Sequence, residues 1–217
     1  EALACKAIDS WDGPRDEIRV MTKAGLARPK GRWVPSGHPD KLRNAVEGSL
    51  RALNVDRLFM LLLHVNDPKT PFEDSLALLA EMQREGKIEH LGLCNVSIPE
   101  VRQAQRHFEV KALQSELSVM DRKAGKRGIV ALAAQLGIPF LAHRPMGGYA
   151  KADKMPKNRA MKPLVAKYDV PPQEAALATL YDLQHPVIPL IGATRTESID
   201  SSLRSLDLKL DDADREA

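Results

Sequence analysis

Glu85-Gly86-Lys87-Ile88-Glu89-His90-Leu91-Gly92-Leu93-Cys94-Asn95, followed by Val96-Ser97-Ile98-Pro99-Glu100, reads as the end of one helix, a strand and the start of the next helix. Gly86 supplies the left-handed residue that commonly closes a helix. His90 to Asn95 is a short apolar run of strand length. Ser97-Ile98-Pro99-Glu100 then offers a capping hydroxyl, an early-turn proline and a carboxylate three residues on, which together mark a helix start running to about Phe108.

The same alternation continues in both directions. Val, Ile and Leu concentrate in runs at Ile18 to Lys23, Arg57 to His64, His90 to Asn95, Ala112 to Leu117, Pro139 to Arg144 and Val187 to Gly192. Between the first two, Leu42, Val46, Leu50 and Leu53 share one helical face, opened by His38-Pro39-Asp40 and closed near Asn54. Phe72 to Glu85 turns Leu76, Leu79 and Met82 inward, and further helices fit Gly128 to Leu136, Met161 to Tyr168, Pro172 to Leu183 and Glu197 to Leu203. Strands separated by helices of this length predict an α/β fold with parallel pairing. Each strand ends at residues able to meet a polar ligand: Lys23, His64, Asn95, Gln114, His143 with Arg144, and Thr194 with Arg195. Ligands of parallel α/β folds bind at the carboxyl ends of the strands, so the expectation is that Lys23, His64, Asn95 and Gln114 face one pocket mouth.

Composition narrows the function. The 217 residues carry 43% apolar and 28% charged side chains, and a net charge of +3 comes from well-mixed charges. With neither a long basic run nor an arginine-aromatic ladder, nucleic acid is not an expected partner. No apolar run approaches the roughly 18 residues of a membrane helix, and the start at Glu1 shows no targeting pattern, so the expectation is one cytoplasmic domain over 1–217, monomeric or weakly homo-oligomeric, with no membrane contact. Cys5 and Cys94 show no metal-type pairing and are expected as thiols. The absence of a Gly-x-Gly-x-x-Gly loop, zinc spacing, nucleophile elbow and P-loop disfavours Rossmann dehydrogenases, metalloenzymes, serine hydrolases and ATPases.

Taken in order, the motifs resemble those of the aldo-keto reductases over nearly the whole chain. Val20-Met21-Thr22-Lys23 is similar to the strand carrying that family's catalytic lysine, and Arg57 to His64 to the strand ending in its active-site histidine. Glu85 to Asn95 resembles the family signature EGKIRxxGxSN, Gln114 falls where the family keeps a glutamine, and Ile191-Gly192-Ala193-Thr194-Arg195 resembles the last-strand loop that grips the adenosine phosphate end of the cofactor. The resemblance implies a (β/α)8 TIM barrel, here without about its first two strands. It also implies an oxidoreductase that reduces the carbonyl of a small aldehyde or ketone with NADPH, NAD being the alternative cofactor. A tyrosine hydroxyl protonates the oxygen in that chemistry, and a lysine ammonium beside it lowers its pKa; Lys23 would fill that role. His64 would donate to the substrate carbonyl. Asn95 and Gln114 would hold the nicotinamide carboxamide, and Gly192, Thr194 and Arg195 the phosphate end.

Departures from the pattern are informative. The family's catalytic aspartate and tyrosine lie upstream of everything in this sequence, Glu1 to Ala7 resembles the end of the helix that follows them, and Tyr149, Tyr168 and Tyr181 do not match the catalytic position. His143-Arg144-Pro145-Met146-Gly147-Gly148 stands in place of the YSPLG pattern, so His143 would stack on the nicotinamide and Arg144 would reach the pyrophosphate. Ser201 and Ser202 replace a Glu-Asn pair at the adenine end. Trp33, in the turn-rich insertion Gly31 to His38, is a candidate for the substrate mouth, and the basic stretch from Gly147 through Lys151, Lys154, Lys157 and Arg159 for closing over a phosphate. Two rivals stand beside the reductase: a non-catalytic cofactor-binding barrel acting as regulatory subunit or sensor, and an unrelated barrel using Arg144 and Arg195 on phosphorylated metabolites.

Overall fold

The structure is a computed structural model that describes residues 1–148, 154–183 and 187–215. Two compact units divide the chain, Glu1–Ala112 and Leu113–Ala217.

In the first unit, helix α1 (Ala2–Asp9) precedes strand β1 (Met21–Ala24), a short hairpin of β2 (Leu26–Ala27) and β3 (Val34–Pro35), helix α2 (Pro39–Leu53), β4 (Leu58–Leu63), α3 (Phe72–Arg84), β5 (Ile88–Cys94) and α4 (Ile98–Ala104). Strands β1, β4 and β5 pair in parallel, with Lys23 beside Leu62 and Leu62 beside Gly92. A side chain on Gly92 would stand 2.8 Å from the Ala112 carbonyl oxygen and 3.2 Å from Leu62, so the strand packs this closely only where no Cβ exists. The helical faces read from the sequence are the ones buried: Leu42, Val46, Leu50 and Leu53 on α2, and Leu76, Leu79 and Met82 on α3. Asn54 caps α2 in the left-handed conformation (φ 52°), and Gly86 (φ 78°) follows α3 in the same region.

The signature stretch contributes directly to this packing. Glu85 takes both guanidinium nitrogens of Arg43 on α2, at 3.0 Å each, while Lys87 pairs with Glu47 on α2 and with Glu85 at 3.1 Å. The turn before β5 is thereby tied to the outer face of α2.

In the second unit, β6 (Val110–Glu116, entering from the first), β7 (Phe140–His143) and β8 (Val187–Pro189) carry the strands. β7 pairs in parallel with both β6 and β8. The helices are α5 (Lys123–Lys126), α6 (Ile129–Gln135), α7 (Lys162–Tyr168), α8 (Pro172–Tyr181), α9 (Thr196–Arg204) and α10 (Asp212–Arg215). Met155, Met161, Leu164, Ala175, Ala176, Ala178 and Leu210 form a core of their own. The Tyr168 hydroxyl donates to Asp214 at 2.7 Å and accepts the Asp211 N–H at 2.9 Å, which pins the terminal segment to α7.

Several boundaries differ from the sequence reading, and α4, for one, ends at Ala104 rather than near Phe108. The run from Ile18 enters the ladder only at Met21, because a 3-10 turn at Arg15–Glu17 delays the extended segment. Strand β8 ends at Pro189, leaving Leu190 to donate one last bond to Ala142 at 2.9 Å before the chain turns away. The insertion after β1 is partly ordered as the β2–β3 hairpin, a pairing that the turn residues of Gly31 to His38 concealed. Among the described residues no helix is long and apolar enough to cross a membrane.

The Arg43 and Lys87 hydrogen bonds hold the Glu85 carboxyl at about 2, well below its ordinary 4.5. A carboxyl depressed on folding stabilises fully above its unfolded value and loses that contribution as pH falls through the folded one. Denaturant midpoints should therefore drop between pH 4.5 and about 2, and Glu85→Gln should flatten that dependence. Added salt should weaken the wild-type effect, since the network is partly exposed.

Candidate functional site

Parallel register decides where the first unit presents its polar residues. Lys23, Leu62 and Gly92 form one cross-strand row, and residues two further along a strand return to the same face, so His64 and Cys94 follow Leu62 and Gly92 on it. His64 leaves β4 with its backbone N–H donating to the Ala24 carbonyl at 2.8 Å. Asn95 leaves β5 in the left-handed region (φ 56°) and donates from Nδ2 to the His64 carbonyl at 3.1 Å. Lys23, His64 and Asn95 thus stand together at the carboxyl edge of three adjacent strands. Burial pushes the Cys94 thiol up to about 12, with the nearby Lys23 ammonium pulling the other way.

Trp33 joins this edge from the hairpin. Its ring lies 6.5 Å from that of His64, tilted by 56°, and the Arg28 guanidinium sits 4.9 Å over the indole. The segment after β4 holds the surrounding loops in place. Buried Asp67 accepts the Gly37 N–H at 2.9 Å and the Lys69 N–H at 3.0 Å, backbone bonds that draw its carboxyl below the usual range. Asn66 donates at 2.8 Å to Glu100, whose other oxygen accepts the Ser97 N–H at 2.7 Å as the predicted capping carboxylate. The sequence marked Glu100 only as a cap. Nothing in the spacing showed that it also receives Asn66, or that Arg28 would stack on Trp33.

The second unit places its candidates separately. Gln114 is buried in β6, and its Oε1 has no hydrogen-bond partner among the described residues. An orphaned acceptor at such depth invites a donor. His143 ends β7 beside Glu116 of β6, and Arg144 follows with φ 52° and an ion pair to Glu116 at 3.5 Å. A cavity of about 300 Å³ is lined by Met146, Gln173, Gly192, Arg195, Glu197, Ser198, Ser201 and Ser202, which joins two predicted residues, Gly192 and Arg195, at the start of α9. Thr194 is exposed beside it. Ser201 donates to buried Glu174 and Ser202 to the Ser198 carbonyl, so both hydroxyl protons are committed inside the protein. Gln173 belongs to the cavity without any sequence signal, and Met146 enters it from the segment that replaces the YSPLG pattern. Tyr149 and Lys151 lie outside the described residues. The Tyr168 hydroxyl is engaged by α10, and burial raises the Tyr181 hydroxyl above its ordinary pKa. Among the described residues, no group of three or more His, Cys, Asp or Glu could hold a metal.

Comparison with known proteins identifies the family. The model of the Aldo/keto reductase family matches residues 1–217, and the chain belongs to that family. It is 28% identical to an uncharacterized oxidoreductase of Schizosaccharomyces pombe, over 91% of this chain and 63% of that protein. A Glycine max protein named probable aldo-keto reductase 1 is 27% identical over 99% of this chain and 69% of its own length. The chain therefore spans about two thirds of the curated relatives it matches. A solved Klebsiella pneumoniae aldo/keto reductase, in complex with NADP and acetate, superposes with a TM-score of 0.80 at 19% identity, over 98% of this chain and 72% of that one. The fold is that of the aldo-keto reductase (β/α)8-barrel class.

The two free thiols provide a check on the edge geometry. Cys94 is fully buried while Cys5 is partly exposed, so a thiol reagent should label Cys5 alone in the native protein and both after denaturation. Rapid native labelling of Cys94 would show that the edge opens around it in solution.

Proposed function

We propose that the protein containing this chain is an NADPH-dependent oxidoreductase that reduces the carbonyl group of small aldehydes or ketones. The observation that carries the proposal is the convergence of Lys23, His64 and Asn95 on one carboxyl edge in the first unit. Family membership and the NADP-bound relative support it. NADPH, when bound, supplies the hydride to the carbonyl carbon.

The chain's own residues do the remaining work in this reading. The His64 ring donates a hydrogen bond to the carbonyl oxygen and orients it, so charge developing on that oxygen meets a dipole already in place. Lys23 places an ammonium beside the family's proton-donating tyrosine, a role that Tyr168, engaged by Asp211 and Asp214, does not fill. Asn95 contributes a carboxamide at the same edge, and its bond to the His64 carbonyl keeps the two loops in step. The unmatched Gln114 Oε1 fits the amide N–H of a nicotinamide carboxamide. The cavity lined by Gly192 and Arg195 suits the adenosine phosphate end, where the guanidinium and the backbone N–H groups opening α9 favour an anion. His143 would stack on the ring and Arg144 would meet the pyrophosphate, provided Arg144 exchanges Glu116 for it.

Two substitutions separate the roles in the full-length protein. Lys23→Met should lower kcat by about 10² to 10⁴ while leaving NADPH affinity nearly unchanged, because it acts on the proton donor rather than on cofactor grip. Equal turnover in the variant would remove Lys23 from the chemistry. Gln114→Met, which keeps the volume and removes the acceptor, should weaken NADPH binding about tenfold in a fluorescence titration, with the unfolding midpoint retained.

A further inference from the structure

From Ala24 to Pro39 the chain carries Arg28, Lys30 and Arg32 and no acidic residue. The β2–β3 hairpin folds this stretch back on itself, with Leu26 opposite Pro35 and Ala27 opposite Val34, so all three cations and Trp33 lie in its connecting turn. The hairpin springs from the carboxyl end of β1: the Gly25 carbonyl accepts the Ser36 N–H at 2.9 Å, while neighbouring Ala24 accepts the His64 N–H at 2.8 Å. The base of the turn is thereby fixed beside His64, and Asp67 anchors its exit through Gly37. Trp33 remains 62% exposed although it lies next to the His64 ring, and its indole carries the Arg28 guanidinium 4.9 Å above it. Arg28 also donates from Nε to the Gly31 carbonyl at 3.3 Å, which holds the guanidinium from its inner edge and leaves its two terminal nitrogens out of that bond. A guanidinium held by stacking and by one backbone bond loses less side-chain freedom when it meets a planar anion than a free one does.

We infer that this hairpin selects carbonyl substrates bearing a negatively charged carboxylate. The anionic end is held by Arg28, the body of the substrate packs on Trp33, and the carbonyl is presented to His64. Lys30 and Arg32 raise the local positive potential and speed encounter without a fixed contact. The inference rests on the reductase reading of the same edge and assigns its substrate class.

The test pairs para-formylbenzoate with its uncharged methyl ester, two aldehydes with the same ring and reacting group. In calorimetric titrations of the full-length protein the acid should bind about tenfold more tightly than the ester, and the advantage should shrink with added salt. Arg28→Gln should bring the acid to the affinity of the ester, leave the ester unchanged and leave NADPH binding unchanged. Lys30→Gln should lower the association rate of the acid more than it raises dissociation. Equal affinity for acid and ester, or an acid preference that survives Arg28→Gln, would overturn the inference. NADPH-dependent turnover keeps the two readings apart. Reduction of both aldehydes with equal kcat/KM retains the reductase and removes the carboxylate selection. Arg28-dependent binding of the acid with no reduction of either aldehyde retains anion recognition and removes the reductase.

Discussion

The register of β1, β4 and β5 is the constraint on which the first unit's candidate residues depend. Lys23, Leu62 and Gly92 stand in one row, and His64 and Cys94 follow two residues on along β4 and β5 on the same face. A slip of one residue in β4 would turn His64 to the opposite face and bring Leu63 into its place. Gly92 holds the register from one side, because only a residue without Cβ lets β5 approach the Ala112 carbonyl. Leu62, fully buried next to it, fills the space that the missing side chain leaves.

The stretch that most resembles its family divides into two physical jobs. Its first half, Glu85 and Lys87, is tied by charge to Arg43 and Glu47 on α2 and contributes packing rather than chemistry. Its second half ends at Asn95, whose left-handed backbone turns the side chain back to the His64 carbonyl. The motif thus joins a charged clasp at one end of β5 to the Asn95 side chain at the other, with the seven strand residues between them. The segment following β4 complements it, since Asn66 and Asp67 reach Glu100 and Gly37 and so connect the loops on either side of His64.

In the second unit, the buried polar groups differ in whether their hydrogen-bonding capacity is already used. Gln114 keeps an unmatched oxygen in β6, whereas Ser201 and Ser202 have already committed their hydroxyl protons to Glu174 and Ser198. The cavity near α9 is lined by Arg195, Gln173 and Ser198 as side-chain donors, which is a different chemistry from that of a carboxylate and an amide at positions 201 and 202.

The sequence by itself determined the order of strands and helices, the buried faces of α2 and α3, the cap at Ser97 and Glu100, and the positions of Lys23, His64 and Asn95 at strand ends. These features are written in local periodicity and in the preferences of Gly, Pro and capping residues, which act over a few neighbouring positions. Tertiary structure alone decided the rest. The β2–β3 hairpin, the stacking of Arg28 on Trp33 beside His64, the use of Glu100 by Asn66 and the entry of Met146 and Gln173 into the α9 cavity all join residues whose spacing carries no repeat. Such contacts arise from how whole elements pack, and a one-dimensional pattern has no term for the distance between two side chains on different strands or loops.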